Sequence, residues 1–254
     1  MKHAVSWGVL GALWLVCGVA WGRDPISTDR PDVANGSTPV GAGVFQAEVG
    51  ADVSLSGDGD ADAQSLGTPL LLRYGVLSEL EARLETGGLQ LSRGSAGGES
   101  SSDVGFGGVA LGGKLRFWEQ EGSTPAMGAL LMVSLPLQEG ESLGLSPTLA
   151  LDWDWGAWGL GVNVGAEVPI TERDTQNDAL AYAVSVPFGL DSVKDGLGAY
   201  VEAFGGLGLS EFDLGISLGA GLVWVLTPDL QLDWALRGLG FDGISTGVGA
   251  SVRF

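Results

Sequence analysis

Charged side chains recur at every second position of otherwise apolar stretches in this 254-residue chain. In GVFQAEVGADVSLS, Glu48 and Asp52 fall on one side of an extended backbone, while Val49 and Val53 fall on the other. Such charges could line a pore that selects solutes, or they could pair within a rigid interior, and the sequence leaves both open. The charged residues assigned to this inner face are Glu48, Asp52, Arg73, Glu81, Arg83, Glu85, Lys114, Arg116, Asp152, Asp154, Glu167, Glu202, Asp233, Arg237 and Arg253.

Catalytic chemistry has little support, because the chain has one histidine, His3, and one cysteine, Cys17, both within the first 22 residues. A Ser–His–Asp site needs histidine as its base, and the usual structural zinc sites need cysteine and histidine. We therefore expect a protein that is not an enzyme and that holds no cofactor.

One acidic stretch, DGDAD at residues 58–62, places carboxylates at alternate positions and suggests calcium. An EF-hand loop has glycine at its sixth position and glutamate at its twelfth. Ala63 and Pro69 occupy those positions, so we interpret the stretch as a solvated loop and predict no metal site.

Residues 1–22 have the pattern of a secretory signal peptide. Their apolar stretch, Val5–Val19, is shorter than the roughly 20 residues of a membrane-spanning helix, and small residues Ala20 and Gly22 flank Trp21 at a suitable cleavage site. The whole chain carries a net charge of −19, which makes it a poor nucleic-acid binder. We predict export through a cleaved leader.

The alternation in Gly43–Ser56 is longer than a soluble strand of about five or six residues, and long enough for the about 9–11 of a transmembrane strand. We predict an all-β fold, an antiparallel transmembrane β-barrel of about 12 strands over residues 43–254. The further strand segments lie near 67–74, from 79, and at 103–117, 126–135, 145–155, 158–168, 180–190, 197–207, 213–226, 230–239 and 244–254.

Connections between these segments alternate in length, with short ones at 75–78, 155–157, 191–196 and 227–229. Longer polar connections are predicted at 57–65, 92–102, 136–142 and 171–179. Outer-membrane barrels have short periplasmic turns and longer external loops. The even strand count then places both termini in the periplasm.

Five tryptophans fall on the predicted lipid-facing side near the short turns. Tryptophan prefers the membrane–water boundary, so these residues predict an aromatic girdle, whereas a soluble β-sandwich core would not explain their clustering. They are Trp153, Trp155, Trp158, Trp224 and Trp234.

Several local motifs are similar to one family. They are Thr28-Asp29-Arg30-Pro31-Asp32; Gly43-Val44-Phe45-Gln46-Ala47-Glu48; Leu72-Arg73-Tyr74-Gly75 followed by Glu81-Ala82-Arg83; Ser134-Leu135-Pro136; Val201-Glu202-Ala203-Phe204-Gly205; and Leu226-Thr227-Pro228-Asp229-Leu230-Gln231-Leu232-Asp233. From about Ser27 to Phe254 the chain resembles the outer-membrane β-barrel transporters named for the MetA-pathway of phenol degradation. The resemblance implies uptake of aromatic compounds and supplies no binding residues.

Residues 23–42 precede the first strand, and Pro25, Pro31 and Pro39 oppose both helix and central-strand pairing. We predict a periplasmic segment. It is either a lumen plug that enters the charged interior through Asp29, Arg30 and Asp32, or a tether between leader and barrel.

Together these features predict a passive outer-membrane channel or transporter of a Gram-negative bacterium. Its substrates would be small solutes, with hydrophobic or aromatic compounds as candidates. The alternative is a structural or adhesive barrel without transport. Expected partners are outer-membrane lipids, an unknown small solute and the barrel assembly machinery, the last through the strand that ends at Phe254. We expect a monomer and no nucleic acid.

Overall fold

The computed structural model describes residues 24–58, 61–137, 142–170, 179–208, 213–238 and 243–254. The predicted signal peptide therefore lies outside the described residues. The described strands are β1 (Phe45–Asp58), β2 (Ala61–Gly67), β3 (Leu70–Gly75), β4 (Leu80–Thr86), β5 (Leu89–Ala96), β6 (Glu99–Phe106), β7 (Val109–Trp118), β8 (Ala126–Leu135), β9 (Gly144–Asp154), β10 (Gly159–Ala166), β11 (Val168–Pro169), β12 (Ala179–Gly189), β13 (Leu197–Gly208), β14 (Asp213–Leu214), β15 (Ser217–Thr227), β16 (Leu230–Arg237) and β17 (Gly243–Arg253).

These strands form one closed antiparallel barrel whose wall consists of twelve long antiparallel segments. We call each of these segments a stave. Five staves are interrupted and consist of two consecutive strands each: β2/β3, β4/β5, β6/β7, β10/β11 and β14/β15. The barrel closes where β1 pairs with β17, in a register that runs from Gln46 opposite Arg253 to Ser56 opposite Gly243. The predicted all-β barrel of about twelve strands is confirmed.

Side chains alternate between the interior and the outer surface, as the strand period of two requires. On β1, Gln46 and Glu48 are fully buried, whereas Val49 is 47% exposed. On β7, Lys114 is fully buried between the exposed residues Leu111 and Leu115. An exposed apolar outer face around a buried polar interior is the pattern of a transmembrane barrel.

Two ends of the barrel can be distinguished. We call one the short-turn end, because it holds the connections 76–79, 119–125, 155–158, 190–196 and 228–229 together with the first residue of β1 and the last of β17. We call the other the loop end, which holds the turn at Gly97 and Gly98 between β5 and β6. Within the described ranges, no helix is long and apolar enough to cross a membrane.

The predicted long loop at 92–102 was wrong, because most of it is strand. β5 and β6 form a hairpin that turns at Gly97 and Gly98, both with positive φ. Two glycines in this conformation make the tight turn whose twist matches paired strands. Alternation missed the hairpin because residues 92–102 are mostly Ser and Gly, which carry no apolar signal. The predicted loop at 57–65 is likewise shorter, since β1 reaches Asp58 and β2 starts at Ala61.

Three neighbouring staves are interrupted side by side. Gly87 donates to Gly108 at 3.2 Å, and Gly107 donates to Gly88 at 2.6 Å. At Gly88, where φ is +62°, an added Cβ would lie 1.9 Å from the Thr68 carbonyl oxygen. Only glycine permits two backbones to come this close. We call the row of interruptions at Gly87, Gly88 and Gly107 the crease.

Candidate functional site

The barrel interior is occupied by residues 24–42, which precede β1. Ile26, Asp29, Ala34, Ser37 and Val40 of this segment are buried. We refer to residues 24–42 as the lumen segment. Because its prolines prevent regular pairing with a strand, its backbone groups need partners among the inward side chains.

Carboxylates of the wall accept these backbone N–H groups. Glu48 accepts from the amides of Asp29 and Arg30 at 3.1 and 3.0 Å. Glu202 accepts from Val33 at 2.7 Å. The segment is therefore held along its length by acceptors from different staves.

Further along the segment the same arrangement continues. Glu81 accepts from the amide of Val40 at 2.8 Å, and Asp152 accepts from that of Ser37. The side chain of Asn163 accepts from the Asn35 amide at 2.6 Å and donates to the Asn35 carbonyl at 2.9 Å.

Asp29 is the centre of a buried ionic cluster. Lys114 donates to its two carboxylate oxygens at 2.9 and 2.7 Å, and Arg83 pairs with it as well. Arg73 lies 3.6 Å from the same carboxylate. A buried charge is tolerated when it is paired and hydrogen-bonded, so Asp29 fixes the segment against three inward cations.

Arg73 links the wall to both halves of the segment. Its guanidinium contacts both oxygens of Glu81 at 2.9 Å and one oxygen of Glu48 at 3.0 Å. It also donates to the carbonyl oxygens of Ser27 at 3.0 Å and Thr38 at 3.2 Å. The rigid fork of arginine suits this combination of bidentate pairing and backbone contacts.

The two segment aspartates differ in their electrostatics. Burial alone would raise the pKa of Asp29, but the charges of Arg73, Lys114 and Arg83 outweigh it and hold the pKa well below its ordinary value. Burial, with Glu202 and Asp29 nearby, raises the pKa of Asp32 to about 7. Asp29 is thus a stable anion, whereas Asp32 lacks comparable compensation.

Arg30 reaches the opposite part of the wall. Its guanidinium lies 3.5 Å from Asp52 and 3.4 Å from Asp233. An added Cβ at Gly50 or Gly249 would lie 2.5 or 2.7 Å from this guanidinium. The two glycines therefore create the space in which Arg30 sits.

Two cavities flank the lumen segment. The loop-end cavity, about 610 Å³, includes Glu85, Ala110 and Ser134 in its lining. The short-turn-end cavity, about 540 Å³, includes Asp152 and residues of the 155–158 and 190–196 turns. Arg30 lines both cavities, so it lies where they approach each other.

Some predicted lining residues stand apart from the ionic cluster. Glu85 pairs with Arg83 at 2.9 Å and lines the loop-end cavity. Arg116 pairs with the exposed Glu119 at 3.0 Å near the short-turn end. Glu167 is exposed between β10 and β11 and lines a separate cavity of about 440 Å³.

The remaining predicted inward residues pair with one another or with turns. Arg237 contacts Glu202 at 3.0 Å and donates to the carbonyl of Pro31. Arg253 pairs with Asp229 at 2.7 Å, and Asp154 caps the Gly156 amide at 2.6 Å on the exposed turn.

The five predicted girdle tryptophans face outward. Trp155 and Trp158 lie with ring centroids 4.3 Å apart at one short turn, and Trp153 stacks on Trp155 at 6.5 Å. Trp224 and Trp234 are 37% and 38% exposed on β15 and β16. Trp118, which was not among the predicted girdle residues, is 48% exposed at the end of β7.

A family model described as "Putative MetA-pathway of phenol degradation" matches residues 28–254. This chain belongs to that family. The match includes Asp29, Arg30 and Asp32 as well as the barrel, so the lumen segment from Thr28 onward is part of the family unit.

Solved structures of outer-membrane channels have the same fold as this family member. The COG4313 outer membrane channel from Pseudomonas putida F1 has a TM-score of 0.57 at 14% identity, covering 86% of this chain and 98% of that one. The KdgM porin in complex with disordered oligogalacturonate has a TM-score of 0.53 at 7% identity, covering 82% and 99%. The NanC porin has a TM-score of 0.53 at 9% identity, covering 80% and 98%.

Among curated proteins, none matches this MetA-pathway family chain by sequence.

Several uncharged site residues are not among the charged residues that were predicted to line the interior of this family member. Gln46 and Asn163 are buried and contact Glu48 and the segment backbone, and Gln231 donates to the Thr28 hydroxyl at 2.8 Å. Ser185 and Tyr200 are also buried and inward. The two-residue period of a strand could have predicted them. Gln46 lies two residues before Glu48 and is therefore on the same face of β1.

Proposed function

We propose that the protein is a passive channel of the bacterial outer membrane and that the lumen segment partly occludes it. The observation that carries this proposal is the pair of cavities on either side of the segment, with Arg30 in the lining of both. Movement of one side chain and its segment would join them into a path along the barrel.

The outer surface supports a membrane location. Large apolar side chains are exposed along the outward face, with tryptophans at the short-turn end. Charged residues would cost about 2–4 kcal/mol on the lipid face near the membrane centre, which explains their inward placement. The short-turn end then faces the periplasm. Lipids are the direct partners of this surface, and the assembly machinery acts through the strand that ends at Phe254.

The candidate solutes are small and include aromatic compounds. The family description names phenol degradation, which favours this class. The loop-end cavity is lined by apolar residues such as Leu71 and Ala110 and by charged residues such as Glu85. This lining suits solutes that have an apolar part and a polar part. We further propose that the chain acts as a monomer.

Liposome swelling tests transport without assuming a particular substrate. Proteoliposomes containing the full chain should swell in iso-osmotic arabinose faster than protein-free liposomes. The swelling rate in iso-osmotic benzylammonium chloride then measures whether an aromatic solute enters faster than arabinose. Liposomes prepared in the same way with heat-unfolded chain are the control for non-specific leakage of the membrane. Swelling no faster than in protein-free liposomes for every solute would contradict transport and favour a structural barrel.

A further inference from the structure

The short-turn-end cavity contains polar groups that neither the ionic cluster nor the passage of solutes explains. It lies between the lumen segment and the wall formed by β9, β10, β12, β13 and β15. Asp32, Ser185 and Tyr200 lie together in its lining. Part of its wall is glycine, including Gly159, Gly161 and Gly198, which project no side chains into the cavity.

Tyr200 presents an unused hydrogen-bonding group. The residue is only 4% exposed, and its hydroxyl has no hydrogen-bond partner among the described residues. Its ring is fixed against the wall, since an added Cβ at Gly221 would lie 2.4 Å from it. A buried hydroxyl without a partner loses hydrogen-bonding energy, so a ligand that contacts it would bind more tightly.

Asp32 presents a carboxyl group without a paired cation. None of the ion pairs formed within the described part of the chain includes Asp32. Its carboxylate lies beside Ser185 and near Glu202. The nearby cations are engaged elsewhere: Arg30 with Asp52 and Asp233, and Arg237 with Glu202.

The lining as a whole is acidic. Asp32, Asp152, Asp154 and Asp191 contribute carboxylates to it, and Arg30 is the cation among the described lining residues. The same lining offers apolar surface from Pro187 and Val223. The chemistry that matches is a cation that donates several hydrogen bonds and carries a small apolar group.

We propose that the short-turn-end cavity is a binding site for a small organic ammonium ion. The ammonium group lies between the Asp32 carboxylate and the Tyr200 hydroxyl, donating a hydrogen bond to each. The organic group lies along the glycine-lined wall beside Pro187 and Val223. This site goes beyond the proposed channel function, and binding to it does not require that the barrel conducts.

Isothermal titration calorimetry on the full chain in detergent tests the site by measuring dissociation constants. Benzylammonium chloride is the probe, and benzyl alcohol is its neutral counterpart. Benzylammonium should bind about tenfold or more tightly than benzyl alcohol, because the charge-assisted bond to Asp32 is absent from the alcohol. Asp32→Asn should weaken benzylammonium binding by about tenfold or more, and Tyr200→Phe by about threefold or more.

The matched control is Asp103→Asn, which makes the same change at an exposed position of β6 outside the short-turn-end cavity. This variant should bind benzylammonium as the wild type does. A heat-modifiability gel on each variant verifies that the barrel has folded. Wild-type affinity in either Asp32→Asn or Tyr200→Phe, equal affinity for the alcohol, or no binding by the wild type would overturn the site. Binding by a chain that causes no liposome swelling would reject the channel and retain the site.

Discussion

At the scale of single residues, Asp29 connects the lumen segment to the barrel wall. Its carboxylate is shared by Lys114, Arg83 and Arg73, and each of these cations comes from a different stave. The segment can leave this position only if all three cations lose their common partner or gain water in its place. Occupation of the interior is therefore coupled to the ionic cluster.

Arg73→Met should reduce stability strongly. The change leaves Glu48 buried without its arginine and removes one of the two arginines that pair with Glu81, and breaking a buried pair in this way costs about 3–5 kcal/mol. Urea unfolding in detergent, followed by tryptophan fluorescence, measures the free energy of unfolding. Arg93→Met on the exposed strand β5 is the control and should change it little. Equal effects of the two substitutions would contradict the assigned cluster.

Arg30→Ala should change ion selectivity as well as conductance. Removal of the guanidinium leaves Asp52 and Asp233 without their shared cation where the two cavities approach each other. We expect larger single-channel conductance and a reversal potential shifted towards cation selectivity in a salt gradient. Arg116→Ala removes the same charge near the short-turn end and is the control. Identical reversal potentials for the two variants would show that Arg30 does not lie on the ion path.

The inward position of these residues could be predicted from the sequence, but their partners could not. Alternation alone places Glu48, Arg73 and Lys114 on the inner face. Which charges meet depends on the register between staves and on the path of residues 24–42, neither of which has a local signal. Glu167 shows the limit, because it lies where β10 gives way to β11 and the alternation is interrupted.

At the scale of elements, long staves were predicted well where apolar residues mark the outer face. Where that face carries arginine and serine, as in the part of β5 and β6 next to their turn, the same rule gave a loop instead of a hairpin. The interruptions beside Gly87, Gly88 and Gly107 depend on contacts between neighbouring staves. Such contacts have no signature within a single segment.

Gly88→Ala tests whether the crease requires a close approach of backbones. Gly88 and Gly97 both have positive φ, so alanine at either position incurs the cost of a left-handed conformation, about 1 kcal/mol. At Gly88 the new Cβ would also collide with Thr68, whereas at Gly97 it meets no atom within 4 Å. Gly88→Ala should therefore lower the urea midpoint more than Gly97→Ala. Similar midpoints for the two variants would argue that the crease tolerates a side chain.

At the scale of the whole molecule, the barrel is a closed wall around an interior that its own N-terminal segment occupies. The wall supplies carboxylates to the segment backbone from β1, β4, β9 and β13. Contacts from these four staves hold the segment along its own length. Access to the lumen then depends on whether this segment stays in place.

Single-channel conductance in planar bilayers tests this account most directly, by comparing the full chain with a variant that lacks residues 23–37. The variant should conduct severalfold more current per channel, and a synthetic peptide of residues 23–37 added to the chamber should lower its conductance towards that of the full chain. Equal conductance with and without residues 23–37, and no effect of the peptide, would contradict the claim that the lumen segment occludes a channel.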